Sequence, residues 1–137
     1  MIDWYINWLQ SVTLRELFLL FVIISGVFLL LHLYTAWIYY TLAKKTKTPQ
    51  AYLAWIPIVN FYLVLKIARM SGWWFWSSFL IVIPFFGFWI FLAISIYVWY
   101  RICQRRGYSL LMAILSSLPL ISYVARAIVA WFDKKQK

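Results

Sequence analysis

Residues 55–62 read WIPIVNFY, which places a proline and an asparagine inside an otherwise apolar stretch. Pro57 removes a backbone donor and clashes with the carbonyl four residues earlier, so a helix ends or kinks there. Asn60 follows three residues later, and asparagine favours turns because its side chain bonds to nearby backbone. The stretch therefore predicts a helix–break–helix element in which the Asn60 amide satisfies carbonyls that Pro57 releases.

The same arrangement recurs twice further along the chain. Its pattern is a proline, two apolar residues, then Asn, Gly or Ser, then an aromatic residue, and the copies begin at Pro57, Pro84 and Pro119. Glycine and serine also tolerate or stabilise turns, so we expect Gly87 and Ser122 to mark breaks too. Because freed backbone groups cannot face lipid, each break must be buried against protein or a polar cavity.

Composition predicts the environment of these elements. The chain is 66% hydrophobic and 12% charged, whereas soluble domains are about 45–50% apolar. Thr13 and Glu16 have the spacing of a capping box at the start of a long apolar run. We therefore expect an all-α integral membrane protein. Its parts are an interfacial amphipathic helix over 1–13, a transmembrane helix over 14–43, a membrane domain over 51–132 with proline-broken segments at 51–68, 73–102 and 108–132, and a basic cytoplasmic tail over 133–137.

The distribution of basic residues along the chain predicts how these segments cross the membrane. Net charge is +10, and basic clusters follow every apolar run. Simple crossings after the first helix would divide eleven cations six to five, whereas hairpins bent at the prolines place all eleven on one side. The charge rule thus favours one full transmembrane helix plus three proline-broken hairpins or kinked helices, with a plain four-helix bundle as the alternative. It also predicts a multi-pass protein of the cell (inner) membrane with its N-terminus outside.

A longer stretch resembles a known family. Residues 41–74 read TLAKKTKTPQAYLAWIPIVNFYLVLKIARMSGWW. The basic turn, the Ile-Pro-x-x-Asn core, the Lys-Ile-Ala stretch and the Trp pair resemble small bacterial membrane proteins catalogued only as a domain of unknown function. The resemblance covers about residues 41–132 and departs from the pattern at Gly87, where a polar residue is expected. It implies an integral membrane protein without an established activity, whose members stand alone or accompany other membrane or secretion modules.

Few groups suited to catalysis are present. The three acids form no pair, and the sequence has no Ser-His-Asp set and no His/Cys cluster with metal-ligand spacing. We therefore expect no enzyme and no cofactor. His32 lies mid-membrane on the first helix, where a neutral interior histidine is favoured over an axial ligand to haem or a pigment. The basic clusters next to apolar runs are typical of membrane loops, so no nucleic-acid partner is expected.

Four cations are candidates for contact with anions. Arg126 lies inside the last apolar run, and we expect it to extend its side chain to the cytoplasmic end. The alternative is a site for an anion or lipid headgroup that joins Arg126 to Arg69 or Arg106. Lys66 has the same two interpretations.

These observations favour an accessory or scaffold subunit that packs against a larger membrane complex, since aromatic residues are enriched at interfaces. A small oligomeric transporter or channel with a polar site at the broken helices is the alternative. Haem or pigment binding through His32 is the weakest of the three. The expected partners are the lipid bilayer, anionic lipids at the cytoplasmic face, and other membrane subunits or further copies of the chain.

Overall fold

Helices make up the regular structure of the computed structural model, which describes residues 2–11 and 13–133. No strand occurs within those residues, so the expectation of an all-α chain is confirmed for them. The elements in chain order are α1 (Ile2–Ser11), α2 (Leu14–Lys45), the 3₁₀ helix η1 (Ala51–Trp55), α3 (Val59–Ile67), the 3₁₀ helix η2 (Gly72–Val82), α4 (Phe86–Arg106), α5 (Leu110–Ser117) and α6 (Ile121–Trp131).

A capping box starts α2. The Glu16 N–H donates to Thr13 Oγ1 at 3.4 Å, and the Thr13 N–H donates to Glu16 Oε2 at 3.2 Å. These bonds satisfy two of the donors that a helix N-terminus leaves free. The helix then continues two residues past the expected end at 43, to Lys45.

The chain divides into two compact units, of which the first ends at Leu33 and the second begins at Tyr34. In the first unit, α1 carries stacked or edge-to-face rings at Trp4, Tyr5 and Trp8. From Leu14 to Leu33 every residue except His32 is exposed, although the run is almost wholly apolar. By length and composition, α2 and α4 are the two described helices that could cross a membrane.

The second unit contains three helical hairpins. The first hairpin is η1 with α3, the second is η2 with α4, and the third is α5 with α6, and in each the two arms contact one another. α3 also contacts η2 and α4, and α4 contacts α5, so the second hairpin lies between the other two. Each of the three apolar segments predicted from the sequence thus forms one hairpin with a break at its proline.

The first arm of the second hairpin, η2, is a 3₁₀ helix of 11 residues, which is far longer than such helices usually are. Two serine hydroxyls bond to carbonyls three residues earlier: Ser77 to Trp74 at 2.5 Å and Ser78 to Phe75 at 2.7 Å. This spacing matches the three-residue turn. Because a 3₁₀ helix rises about 2 Å per residue, the arm is about 22 Å long.

The core of the second unit lies near the open ends of the hairpins. Its fully buried side chains come from α2, α3, α4 and α6, and they include Ile38, Leu42, Leu63, Ile67, Ile102 and Val129. The last part of α2 is thus packed, in contrast to the exposed run before Leu33. Of the expected basic tail, only Asp133 lies within the described residues.

Candidate functional site

All three breaks have the same backbone turn. In each, the residue two positions after the proline donates its N–H to the proline carbonyl at 2.8–2.9 Å. The residue between them has a positive φ: 69° at Ile58, 68° at Phe85 and 66° at Leu120. A γ-turn of this hand is rare and strained, and such positions cost about 1–3 kcal/mol each. The strain is greatest for the β-branched Ile58.

The central residue of each turn is also exposed. The exposed fractions are 72% for Ile58, 80% for Phe85 and 83% for Leu120. Their backbone N–H groups donate no hydrogen bond to any residue within 2–11 or 13–133. Each hairpin therefore presents at its tip one large apolar side chain and one backbone donor that still needs an acceptor.

The fourth position of the repeat, which is Asn, Gly or Ser, takes part in each break through its backbone N–H group. The N–H groups of Asn60, Gly87 and Ser122 donate to the carbonyl four residues earlier, at 3.0, 3.2 and 3.0 Å. The side-chain amide of Asn60, expected to bond to the freed carbonyls, makes no hydrogen bond within the described residues. That expectation is wrong, because the turn already pairs the carbonyls of Ile56 and Pro57 with backbone donors.

Gly87 is set apart by a close approach of the two arms. A Cβ added there would lie 1.8 Å from the carbonyl oxygen of Leu80, which belongs to the opposite arm. A side chain cannot fit at that distance, so the second hairpin needs glycine where the other two have Asn and Ser. The departure from the repeat that the sequence shows at Gly87 thus has a steric cause.

The open ends of the hairpins are tied together by basic and aromatic side chains. Lys66 Nζ donates to Gln50 Oε1 at 2.5 Å and so closes the first hairpin. Arg101 Nη2 donates to the Arg69 carbonyl at 3.3 Å across the second, and Tyr108 Oη donates to the Phe132 carbonyl at 2.7 Å across the third. We call this side of the second unit the basic end; its cations are Lys45, Lys47, Lys66, Arg69, Arg101, Arg105 and Arg106.

Arg105 joins the end of α2 to the first hairpin. Its Nη2 donates to the Thr46 carbonyl at 2.9 Å, and its Nη1 donates to the Ile67 carbonyl. Helix C-termini leave carbonyls unpaired and carry partial negative charge, so a guanidinium is well placed there. Arg105 was not singled out in the sequence, where it is one of several arginines after an apolar run.

Asp133 connects the third hairpin to the same end. Its carboxylate lies 2.5 Å from Arg106 Nη2 and 3.2 Å from Lys45 Nζ. The hydrogen bond from Arg106, followed by that from Lys45, holds the pKa of the Asp133 carboxyl below its usual range. The group is solvent-exposed, so the contribution to stability is screened.

Two residues of the basic end adopt left-handed backbone conformations at helix C-termini. Lys47 has a φ of 53° after α2, and Arg69 has a φ of 54° after α3. In each case the N–H of the following residue donates to the carbonyl five residues before it, at 2.8 and 3.0 Å. This hydrogen bond is characteristic of a Schellman cap. Glycine is the usual residue at this position, and Gly107 occupies it after α4. Lys47 and Arg69 line adjoining cavities of about 440 and 460 Å³ with Arg105.

Arg126 occupies a separate place. Its Nε donates to the Ser116 carbonyl at 2.8 Å, and its Nη1 donates to Tyr39 Oη at 2.9 Å. The guanidinium carbon lies 4.8 Å from the centroid of the Trp99 ring, within range of a cation–π interaction. Arg126 therefore turns into the protein and does not extend to the basic end as expected. It is not joined to Arg69 or Arg106, which line the cavities at that end.

A cavity of about 400 Å³ lies beside Arg126, between the second and third hairpins. Pro119 and Ser122 of the third break line it, whereas Asn60 and Gly87 of the other breaks do not. The alternative expectation of one polar pocket shared by all three breaks is therefore not what the structure shows. Tyr39 and Trp99, which hold Arg126, were not predicted, because contacts over such sequence distances leave no local pattern.

His32 is half-exposed within α2. Among the described residues, no group of three or more His, Cys, Asp or Glu side chains could hold a metal ion. Binding of haem or a pigment through His32 stays a prediction.

Comparisons with family models, with curated proteins and with solved structures found no match for this chain.

Proposed function

We propose that this chain is a non-enzymatic, multi-pass protein of the cell membrane that acts as an accessory or scaffold subunit. In this proposal α2 crosses the bilayer once, with the N-terminus outside. The three hairpins enter and return from the cytoplasmic face, where the basic end meets anionic lipids. Two observations support this arrangement. The apolar run from Leu14 to Leu33 is exposed, and side-chain hydrogen bonds join the two arms of a hairpin at its open end, in the first and in the third hairpin.

Hairpin lengths support a partial crossing for two of the three. At 1.5 Å per residue, α3 with 9 residues is about 14 Å long and α6 with 11 residues is about 16 Å long. The hydrocarbon core is about 30 Å thick, so the tips at Ile58 and Leu120 would lie near its middle. With 21 residues, α4 is about 31 Å long and would bring Phe85 to the far interface.

The observation that carries the scaffold role is the free N–H at the two shorter tips. Lipid tails offer no acceptor, and an unpaired backbone group in hydrocarbon costs several kcal/mol. A neighbouring membrane protein can supply a carbonyl to the N–H of Ile58 or Leu120 and cover the exposed side chain beside it. The strain of the turns fits the same role, because strained backbone is often retained where it serves a contact.

Photo-crosslinking in native membranes tests this role. A benzophenone amino acid at Leu120 should crosslink to one defined partner protein. The same probe at Leu111 serves as the control, because it is exposed on α5 of the same hairpin but lies away from the tip. Crosslinks from Leu120 to lipid alone would contradict the scaffold role. Crosslinks only to further copies of the chain would instead support the alternative, an oligomeric transporter or channel.

A labelling experiment tests the topology independently. Single cysteines at Ser71 and Ser109, both exposed between hairpins, are placed in a Cys103→Ala background. An impermeant thiol reagent should label both positions from the cytoplasmic side, since hairpins return to the side they entered. Labelling of Ser71 from outside with Ser109 from inside would establish the four-helix bundle.

A further inference from the structure

Arg126 is a cation held away from the basic end without a counter-ion. The ion pairs among the described residues join Asp133 to Lys45 and to Arg106, so Arg126 has no carboxylate beside it. Its bonds to Ser116 and Tyr39 use Nε and one Nη1 donor, and a guanidinium has five. The remaining donors are available to a ligand.

The cavity next to this arginine has a second polar side chain in its lining. Ser122 lines it and is only 5% exposed, so it adds a hydroxyl group to the wall near Arg126. The rest of the lining is mainly apolar and includes Phe88, Phe91 and Leu120.

This combination defines the chemistry of a ligand. A fixed guanidinium favours a phosphate or carboxylate group, which it can bind through two parallel hydrogen bonds. Apolar walls favour an aliphatic chain, and cavities of a few hundred Å³ are the size of ordinary ligand sites. A molecule with one anionic head and one apolar chain matches both parts of the cavity.

We propose that this cavity binds an anionic phospholipid of the leaflet that surrounds the basic end, with its phosphate at Arg126 and one acyl chain along Phe88 and Phe91. The inference rests on the proposed membrane placement of the hairpins. Arg126 precedes Trp131 by five residues of α6, so it lies about 7.5 Å below the end of that helix. The phosphate of a bound lipid would therefore lie up to about 7.5 Å deeper than those of its neighbours, and the acyl chain would continue toward the tips of the hairpins.

Native mass spectrometry of the full chain, released from detergent micelles, tests the proposal. With added phosphatidylglycerol we expect one lipid retained per chain, and with phosphatidylcholine or palmitate markedly less. Binding of palmitate without phosphatidylglycerol would overturn the phospholipid assignment, and equal retention of phosphatidylcholine would overturn the role of charge.

Two variants test separately the binding of the lipid phosphate and the binding of the acyl chain. Arg126→Gln should weaken phosphatidylglycerol binding about tenfold or more, since it removes a charged hydrogen bond. Ser95→Leu fills the cavity and should weaken binding while every contact of Arg126 stays intact. Arg15→Gln, an exposed position of α2 outside both the cavity and the basic end, is the matched control and should bind as the wild type does.

Separate measurements distinguish a failure of the lipid-site proposal from a failure of the proposed membrane placement. Near-UV circular dichroism checks that each variant is folded, and Ser95→Leu tests the cavity even if Arg126→Gln does not fold. Resistance of the protein to alkaline extraction from membranes reports on membrane placement, and lipid retention reports on the cavity. Extraction resistance together with unchanged lipid binding in Ser95→Leu would overturn the cavity proposal alone. Loss from the membrane at alkaline pH would overturn the membrane placement.

Discussion

The close approach at Gly87 makes Gly87→Ala the most informative single substitution in the second unit. The new Cβ would lie 1.8 Å from the carbonyl oxygen of Leu80, 2.9 Å from its carbonyl carbon and 3.1 Å from Cβ of Ile83. The first two are backbone atoms that cannot rotate away, so the arms of the hairpin must separate. Overpacking of this severity costs about 3 kcal/mol, at the top of the usual range.

Helix propensity opposes part of that cost. Alanine is favoured over glycine inside a helix by about 1 kcal/mol, which leaves a net loss of about 2 kcal/mol for Gly87→Ala. The assay is reversible unfolding in mixed micelles, followed by the near-UV circular dichroism of the tryptophans. Unfolding midpoints are converted to free energies with a common slope for wild type and variants.

Two matched controls isolate the steric effect. Gly26→Ala makes the same change within α2, where a Cβ would meet nothing within 4 Å, so it should stabilise by up to about 1 kcal/mol. Ser122→Ala lies at the equivalent position of the third hairpin, where a Cβ already fits, and should change stability by less than about 1 kcal/mol. If Gly87→Ala is as stable as the wild type while Gly26→Ala shifts as expected, the arms do not meet as described.

Three further predictions concern the basic end. Arg69→Gly relieves the positive φ and should raise the free energy of unfolding by about 1 kcal/mol, whereas Lys44→Gly, inside the last turn of α2, should lower it by a similar amount. Tyr108→Phe removes the bond across the third hairpin and should cost about 1 kcal/mol in the same unfolding assay. Asp133→Asn removes both ion pairs, so the wild type should lose stability as pH falls below about 4 in unfolding measured against pH, and the variant should not show this loss.

The sign of the pH effect follows from the direction of the pKa shift. The folded state holds the pKa of Asp133 below that of the unfolded chain, so its contribution is complete above the unfolded pKa of about 3.9 and disappears as pH falls through the folded value. An identical pH profile in Asp133→Asn would show that the ion pairs do not contribute. Destabilisation by Arg69→Gly would show that its side chain outweighs the backbone strain.

Local chemistry explains what the sequence determined by itself. Proline lacks a backbone donor wherever it is placed, so the breaks at Pro57, Pro84 and Pro119 could be predicted without knowledge of any contact. The capping box at Thr13 is equally local, because its two side chains bond across three residues. The spacing of cations between apolar runs likewise favoured hairpins, since that argument needs only the order of residues along the chain.

Only the tertiary structure decided which distant groups meet. Arg105 bonds to Thr46 across 59 positions, and Arg126 bonds to Tyr39 across 87, so no short motif predicts either contact. The glycine at position 87 follows from the approach of Leu80 in the other arm, which depends on how tightly the second hairpin closes. Each of these features depends on contacts between separate helices, which the order of residues alone does not specify.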